Sequence, residues 1–179
     1  MEKTLVQIAR HLNERGIVWA LGGSLVLKHH GIVKSARDID ILVTYEGLEA
    51  ADEELSSLGY KQTKMANPQF QTTYFYEYVI NGIEVDLMCD FKIVRDPVYT
   101  YLFDSECVVG ADFIEDVRIP YTSVEDWYIL YQLMNRTDDK TQAIRQYIKL
   151  NGITHPTRWE KMITSVPEPL KTQITSSLR

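Results

Sequence analysis

The segment Asp38-Ile39-Asp40-Ile41-Leu42-Val43 restricts this chain more than any other. Its alternation of acidic and apolar residues is that of a strand, whose side chains point to opposite faces in turn. Asp38 and Asp40 therefore share one face, while Ile39, Ile41 and Val43 take the other. Two neighbouring carboxylates repel each other and are costly to leave unpaired where water is partly excluded. A divalent cation relieves both problems, because hard cations favour clustered carboxylate oxygens. With 25 acidic residues in 179, such a pair also arises by chance, so its neighbours in sequence decide its weight. Asp86 supplies a third carboxylate within Ile83-Glu84-Val85-Asp86-Leu87-Met88, another alternating segment. Glu84 shares its face and is expected to flank the cluster. Side by side, the two strands would bring together carboxylates able to hold the paired metals used for displacement at phosphorus.

Upstream, Ile17–Leu21 is a short apolar run suited to a buried strand, and Gly22-Gly23-Ser24 breaks it before a helix expected over Leu25–His30. Glycines allow a backbone to approach a phosphate closely, and helix N-terminal amides point at the anion. Ser24 is expected to cap that helix. The periodicity also predicts helices over 2–15 and 48–58 and strands over Tyr60–Met65, Gln71–Ile80 and Ile83–Met88. Asn81-Gly82 marks a hairpin between the last two strands. A weaker strand pair is expected around Cys107–Val109 and Val117–Ile119. Past Pro120 the pattern turns helical, with Ser123 and Asp126 as a helix start. The expected fold is α/β (α+β): a mixed sheet flanked by helices with a helical C-terminal third, divided into a core at 1–120 and a helical region at 121–179.

In order, Gly22-Gly23-Ser24, Arg37-Asp38-Ile39-Asp40 and Val85-Asp86-Leu87 resemble the DNA-polymerase-β-type nucleotidyltransferase superfamily. Within it, the minimal transferases, the AbiEii-like group and the lincosamide and aminoglycoside adenylyltransferases come nearest. The resemblance implies that Gly22, Gly23 and Ser24 hold a triphosphate and that Asp38 and Asp40 bind both metals, Mg²⁺ or Mn²⁺. Asp86 would bind the catalytic metal and accept the proton of an attacking hydroxyl. Many relatives carry Arg and Ser or Thr where this chain has Lys34 and Ala36. Lys34 and Arg37 are the expected phosphate ligands, Arg37 being the mark of the antibiotic-modifying branch. Arg136 with Asp138 or Asp139 matches a later motif of the superfamily.

The resemblance implies a Mg²⁺-dependent enzyme that moves a nucleoside monophosphate from an NTP, with ATP the expected donor, to an acceptor hydroxyl. The acceptor class stays open among small molecules, RNA and protein. One alternative is an antibiotic adenylyltransferase; another is a catalytically silent module of a toxin–antitoxin or binding system. A net charge of −6 argues against a general nucleic-acid coat. No apolar run is long enough to span a membrane, and Cys89 and Cys107 make no disulfide framework, so a cytoplasmic protein is expected. Phe70, Tyr74, Phe75, Tyr76 and Tyr78 read as strand packing, with base stacking as the alternative. Trp127 reads as core, Tyr131 and Tyr147 as core or cleft lining, and Lys140 as a phosphate or substrate contact.

Overall fold

In the computed structural model, which describes residues 1–63 and 67–178, helix α1 covers Glu2–Glu14 and buries Leu5, Ile8, Ala9 and Leu12 as one apolar stripe. Strand β1 (Trp19–Leu21), helix α2 (Gly23–His29), strand β2 (Ile39–Val43) and helix α3 (Leu48–Leu58) follow. Strands β3 (Tyr60–Gln62), β4 (Tyr74–Ile80) and β5 (Ile83–Cys89) come next, then the hairpin of β6 (Phe91–Ile93) and β7 (Tyr99–Tyr101). After β8 (Gly110–Ile114) and β9 (Val117–Tyr121) the described chain is helical: α4 (Val124–Leu133), α5 (Asp139–Asn151), α6 (Pro156–Thr164) and α7 (Glu168–Ser177).

Seven strands form one mixed sheet in the order β3-β4-β5-β2-β1-β9-β8. The pairs β2–β5 and β1–β9 are parallel; the remaining neighbours are antiparallel. The register follows from local chemistry. The two-residue turn Asn81-Gly82, with both residues at positive φ, pairs Ile80 with Ile83 and so fixes every β4–β5 partner beyond it. Tyr78 is buried on the α3 side, where its hydroxyl donates to Asp52 at 2.5 Å. Alternation then turns Phe75 and Glu77 to the other side. One hydrophobic core links the sheet to both its helical layers, running from Leu5 in α1 to Ile174 in α7.

Several expectations change, and the strand expected over Gln71–Ile80 begins at Tyr74. Ser24 does not cap α2: the N-cap is Gly22, without a side-chain hydrogen bond, and Ser24 sits inside the first turn. The strand expected around Cys107–Val109 does not form: Ser105–Cys107 is a 3₁₀ turn, because the Asp104 carboxylate accepts the Glu106 N–H and winds the chain there. The strand partner of β9 begins later, at Gly110. The β6–β7 hairpin has no counterpart in the sequence reading. The expected strand Tyr60–Met65 ends at Gln62, and Lys64 and Met65 lie outside the described residues. By contrast, Ser123 caps α4 as expected, accepting the Asp126 N–H.

Candidate active site

Asp40 and Asp86 are direct partners in the parallel β2–β5 register. Paired residues of neighbouring strands project to the same face about 4.8 Å apart, so these two carboxylates stand side by side. Asp38 precedes β2 and joins them on the wall of one cavity of about 710 Å³. This cavity opens on the face of the sheet opposite Tyr78, and Gly23, Ser24, Arg37, Arg136 and Lys140 also reach it. All three expected aspartates therefore converge.

The Gly22-Gly23-Ser24 turn does something different from a bare cradle. The Gly22 N–H donates to the Asp40 carbonyl at 2.9 Å. The Ser24 N–H donates to the Asp40 carboxylate, and the Ser24 hydroxyl donates to Asp38 Oδ1 at 3.3 Å. Two backbone donors and one side-chain donor are thus engaged by the acidic strand. The glycines are required by close approach. Gly23 has φ +54, and a Cβ there would lie 1.8 Å from Asp40 Oδ2. A Cβ on Gly22 would meet the Trp127 ring at 2.2 Å. That ring cannot yield easily, since Trp127 Nε1 donates to Thr122 Oγ1 at 2.8 Å. Gly23 reaches the cavity, whereas Gly22 lies behind it.

Asp40 is the strained acid of the group. Burial raises its pKa to about 7, and the Asp38 charge pushes the same way. Arg136 and Lys140 pull it down, as does the hydrogen bond from Ser24. Arg136 is itself positioned over the Tyr131 ring, 4.7 Å from its centroid. The donor set suits a divalent cation: hard oxygens on three aspartates, one of them carrying a charge that burial opposes. Among the described residues no three carboxylate, imidazole or thiol groups are yet close enough together to hold an ion.

Lys34 is exposed in the loop before β2, apart from the cavity-lining residues, while Arg37 reaches the cavity as expected. Arg136 and Lys140 reach it as well, but Asp138 caps α5, accepting the Thr141 N–H at 3.0 Å. Tyr131 lines the cavity; Tyr147 instead contacts His30 at 3.3 Å. Phe70 and Phe75 are at the cavity, whereas Tyr78 is core packing. Glu84 is exposed and does not line the cavity. The carboxylate beside Asp86 is Glu77, its direct partner in the β4–β5 register. Sequence reasoning missed Glu77, although counting outward from Asn81-Gly82 places it there.

The model of the aminoglycoside-2''-adenylyltransferase family matches residues 4–149. The chain belongs to that family. It is a nucleotidyltransferase. Among solved structures, it is similar to a Thermotoga maritima protein assigned as a nucleotidyltransferase, with 24% identity and a TM-score of 0.62 over 83% of this chain and 92% of that one. It is also similar to ANT(2'')-Ia in complex with adenylyl-2''-tobramycin, with 14% identity and a TM-score of 0.58 over the whole of both chains. A lincomycin-bound lincosamide adenylyltransferase, LnuA, shares 19% identity and a TM-score of 0.57 over 86% and 98% of the two chains. At these identities the likeness extends to the fold. No curated protein matches the chain. Among the described residues, no helix is long and apolar enough to cross a membrane.

Proposed function

We propose that this enzyme transfers the adenylyl group of ATP to a hydroxyl of a small-molecule acceptor of the antibiotic kind, with Mg²⁺ or Mn²⁺. The observation that carries the reading is the side-by-side placement of Asp40 and Asp86 on a cavity that also holds Arg136 and Lys140. The family membership favours an antibiotic acceptor over RNA or protein. Asp38, Asp40 and Asp86 would hold the cation, which supplies charge to neutralise the phosphates when bound.

The protein's own groups divide the remaining work. Arg37, Arg136 and Lys140 offer positive charge to the triphosphate, Arg136 with the planar fork suited to phosphate oxygens. Gly23 lets the chain pass close over the acidic strand, and Ser24 offers a hydroxyl once it releases Asp38. Asp86 accepts the proton of the acceptor hydroxyl as that oxygen forms its bond to the α-phosphorus. The bond from the α-phosphorus to the bridging oxygen breaks, and pyrophosphate leaves. Asp38 and Asp40 would act on donor affinity through the cation they would hold; Asp86 acts on the transition state as well.

The test is label transfer from α-labelled ATP to tobramycin and to lincomycin. Wild type is expected to label at least one of them. Asp86→Asn should reduce transfer by about 10²–10⁴-fold, the usual contribution of a general base, while keeping most of the ATP affinity seen by calorimetry. A variant that transfers as fast as wild type ends the role assigned to Asp86.

A further inference from the structure

The cavity differs sharply from one end to the other. Arg136 and Lys140 stand close enough to Asp40 to lower its pKa, which places both cations at the β2 end. From that end outward the sheet carries a row of four polar residues in continuous register. Asp40 pairs with Asp86, Asp86 with Glu77, and Glu77 with Gln62. All four line the cavity. At the spacing of neighbouring strands the row runs about 14 Å, three steps of roughly 4.8 Å. Beside it, two residues along each strand, lies an apolar row in which Phe75 pairs with Met88. Phe70 and Phe91 extend this wall, their rings 5.7 Å apart, and both line the same cavity.

An acceptor lying along the row with its hydroxyl at Asp86 puts its next group against Glu77 and its body against the aromatic wall. Glu77 is half-buried, and among the described residues no hydrogen bond or ion pair engages its carboxylate. A carboxylate in that place favours an ammonium group, because a charge-assisted hydrogen bond offsets the desolvation of both partners. Beyond the three aspartates it is the only acidic residue on the cavity wall among the described residues. A polycation needs a carboxylate for most of its ammonium groups, since each buried unpaired charge is costly. Phe70, Phe75, Phe91 and Met88 offer none.

We infer that the acceptor is an amphipathic hydroxyl compound with a single ammonium group and an apolar body, and that Glu77 is the residue that selects it. The inference rests on the acceptor sharing the proposed donor cavity. It departs from the polycationic acceptor that the family's description carries.

The experiment measures binding separately from transfer. Saturation-transfer NMR and calorimetry in the presence of Mg²⁺ and α,β-methylene-ATP, which cannot release pyrophosphate, compare tobramycin, a polycation, with lincomycin, which has one basic amine and an apolar side chain. Lincomycin is expected to bind wild type at least about tenfold more tightly. Glu77→Gln should weaken lincomycin by about tenfold or more, the loss of one charge-assisted hydrogen bond, and Glu77→Asp should recover part of it. A neutral N-demethyl-N-acetyl analogue of lincomycin, lacking the charge, should be bound equally by wild type and Glu77→Gln. A merely structural role for Glu77 would weaken charged and neutral compounds alike. Tighter binding of tobramycin, no binding of either compound, or indifference of lincomycin to Glu77→Gln overturns the inference. ATP titration without acceptor reads the donor site alone, so failure there falls on the proposed function instead.

Discussion

Two sets of acids, the buried pair on α4 and the half-buried Asp38 and Asp40 at the start of β2, have opposite surroundings. On α4, Asp126 is fully buried and fully partnered. Its Oδ2 accepts from Arg158 Nη2 at 2.7 Å and from the Tyr101 hydroxyl at 2.6 Å, and its Oδ1 from the Ser123 hydroxyl at 2.7 Å. Next to it, burial alone would push the Glu125 carboxyl up. Hydrogen bonds from its own backbone, from the Thr154 N–H and hydroxyl and from His155 outweigh burial and hold its pKa below the usual value. On β2, burial raises the Asp40 pKa to about 7, and the like charge of Asp38 beside it pushes the same way. Carboxylates that hold the helices to the sheet are satisfied within the protein. Asp40, which faces the cavity, carries a charge that burial opposes in spite of Arg136, Lys140 and the Ser24 hydrogen bond, which is the condition for recruiting a cation.

The largest effect that would test this contrast is on stability. Asp126→Ala leaves the Arg158 guanidinium buried without its counter-charge, and breaking such a pair costs about 3–5 kcal/mol. Denaturant unfolding should show this, whereas Asp40→Asn should not destabilise the protein. An Asp126→Ala protein as stable as wild type would remove the distinction between the two sets.

A smaller effect links the two regions through Trp127, which follows Asp126 in α4 and whose ring backs Gly22. Gly22→Ala drives a methyl into that ring, and such overpacking costs about 1–3 kcal/mol. ATP affinity should fall together with thermal stability, because the ring supports the turn that holds Ser24 against Asp38. Substitution at Gly23 is a poorer probe of phosphate binding than the motif suggests. Its positive φ and the nearby Asp40 oxygen strain the fold before any ligand enters. Loss of ATP binding with unchanged stability in Gly22→Ala would show that the turn acts on the ligand alone.

The parts of this architecture legible in the sequence are those where a local rule has only one outcome. Alternation in Asp38–Val43 and Ile83–Met88 fixes which residues share a face, and Asn81-Gly82 fixes the β4–β5 register. From these, the convergence of Asp40 and Asp86 needs only that β2 and β5 be neighbours. The β6–β7 hairpin was not legible, since three-residue strands such as Phe91–Ile93 carry too short a pattern to distinguish from a loop. Nor was the competition for the Gly22-Gly23-Ser24 donors, which depends on how closely the turn passes over Asp40. Glu77 lay hidden among aromatics, where its neighbours suggested packing and only pairing across strands shows its place. Asp126 read as a helix-start residue because nothing nearby in sequence announces Arg158.

The smallest effect concerns pH, and here the two sets carry opposite signs. Glu125 has a folded pKa below its ordinary value of 4.5. Its contribution to stability is therefore present above pH 4.5 and is lost as pH falls through the lower folded value. Asp40 has a folded pKa of about 7 against an ordinary 3.8. Between those values the native state holds a proton that the unfolded state has released. Raising pH from 4 to 7 therefore removes stability, and the loss levels off above 7. Because Asp40 is half-buried, the change is discounted to about 1–2 kcal/mol. With a chelator present, Asp40→Asn should flatten this decline between pH 4 and 7 and leave the acid limb below pH 4.5 in place. Glu125→Gln should do the reverse. Millimolar Mn²⁺ with ATP should raise the wild-type melting temperature most above pH 7, where Asp40 is ionised, and leave that of Asp40→Asn nearly unmoved. A wild-type stability that climbs from pH 4 to 7 with the slope unchanged in Asp40→Asn would mean that the cavity acids are as well satisfied as those on α4.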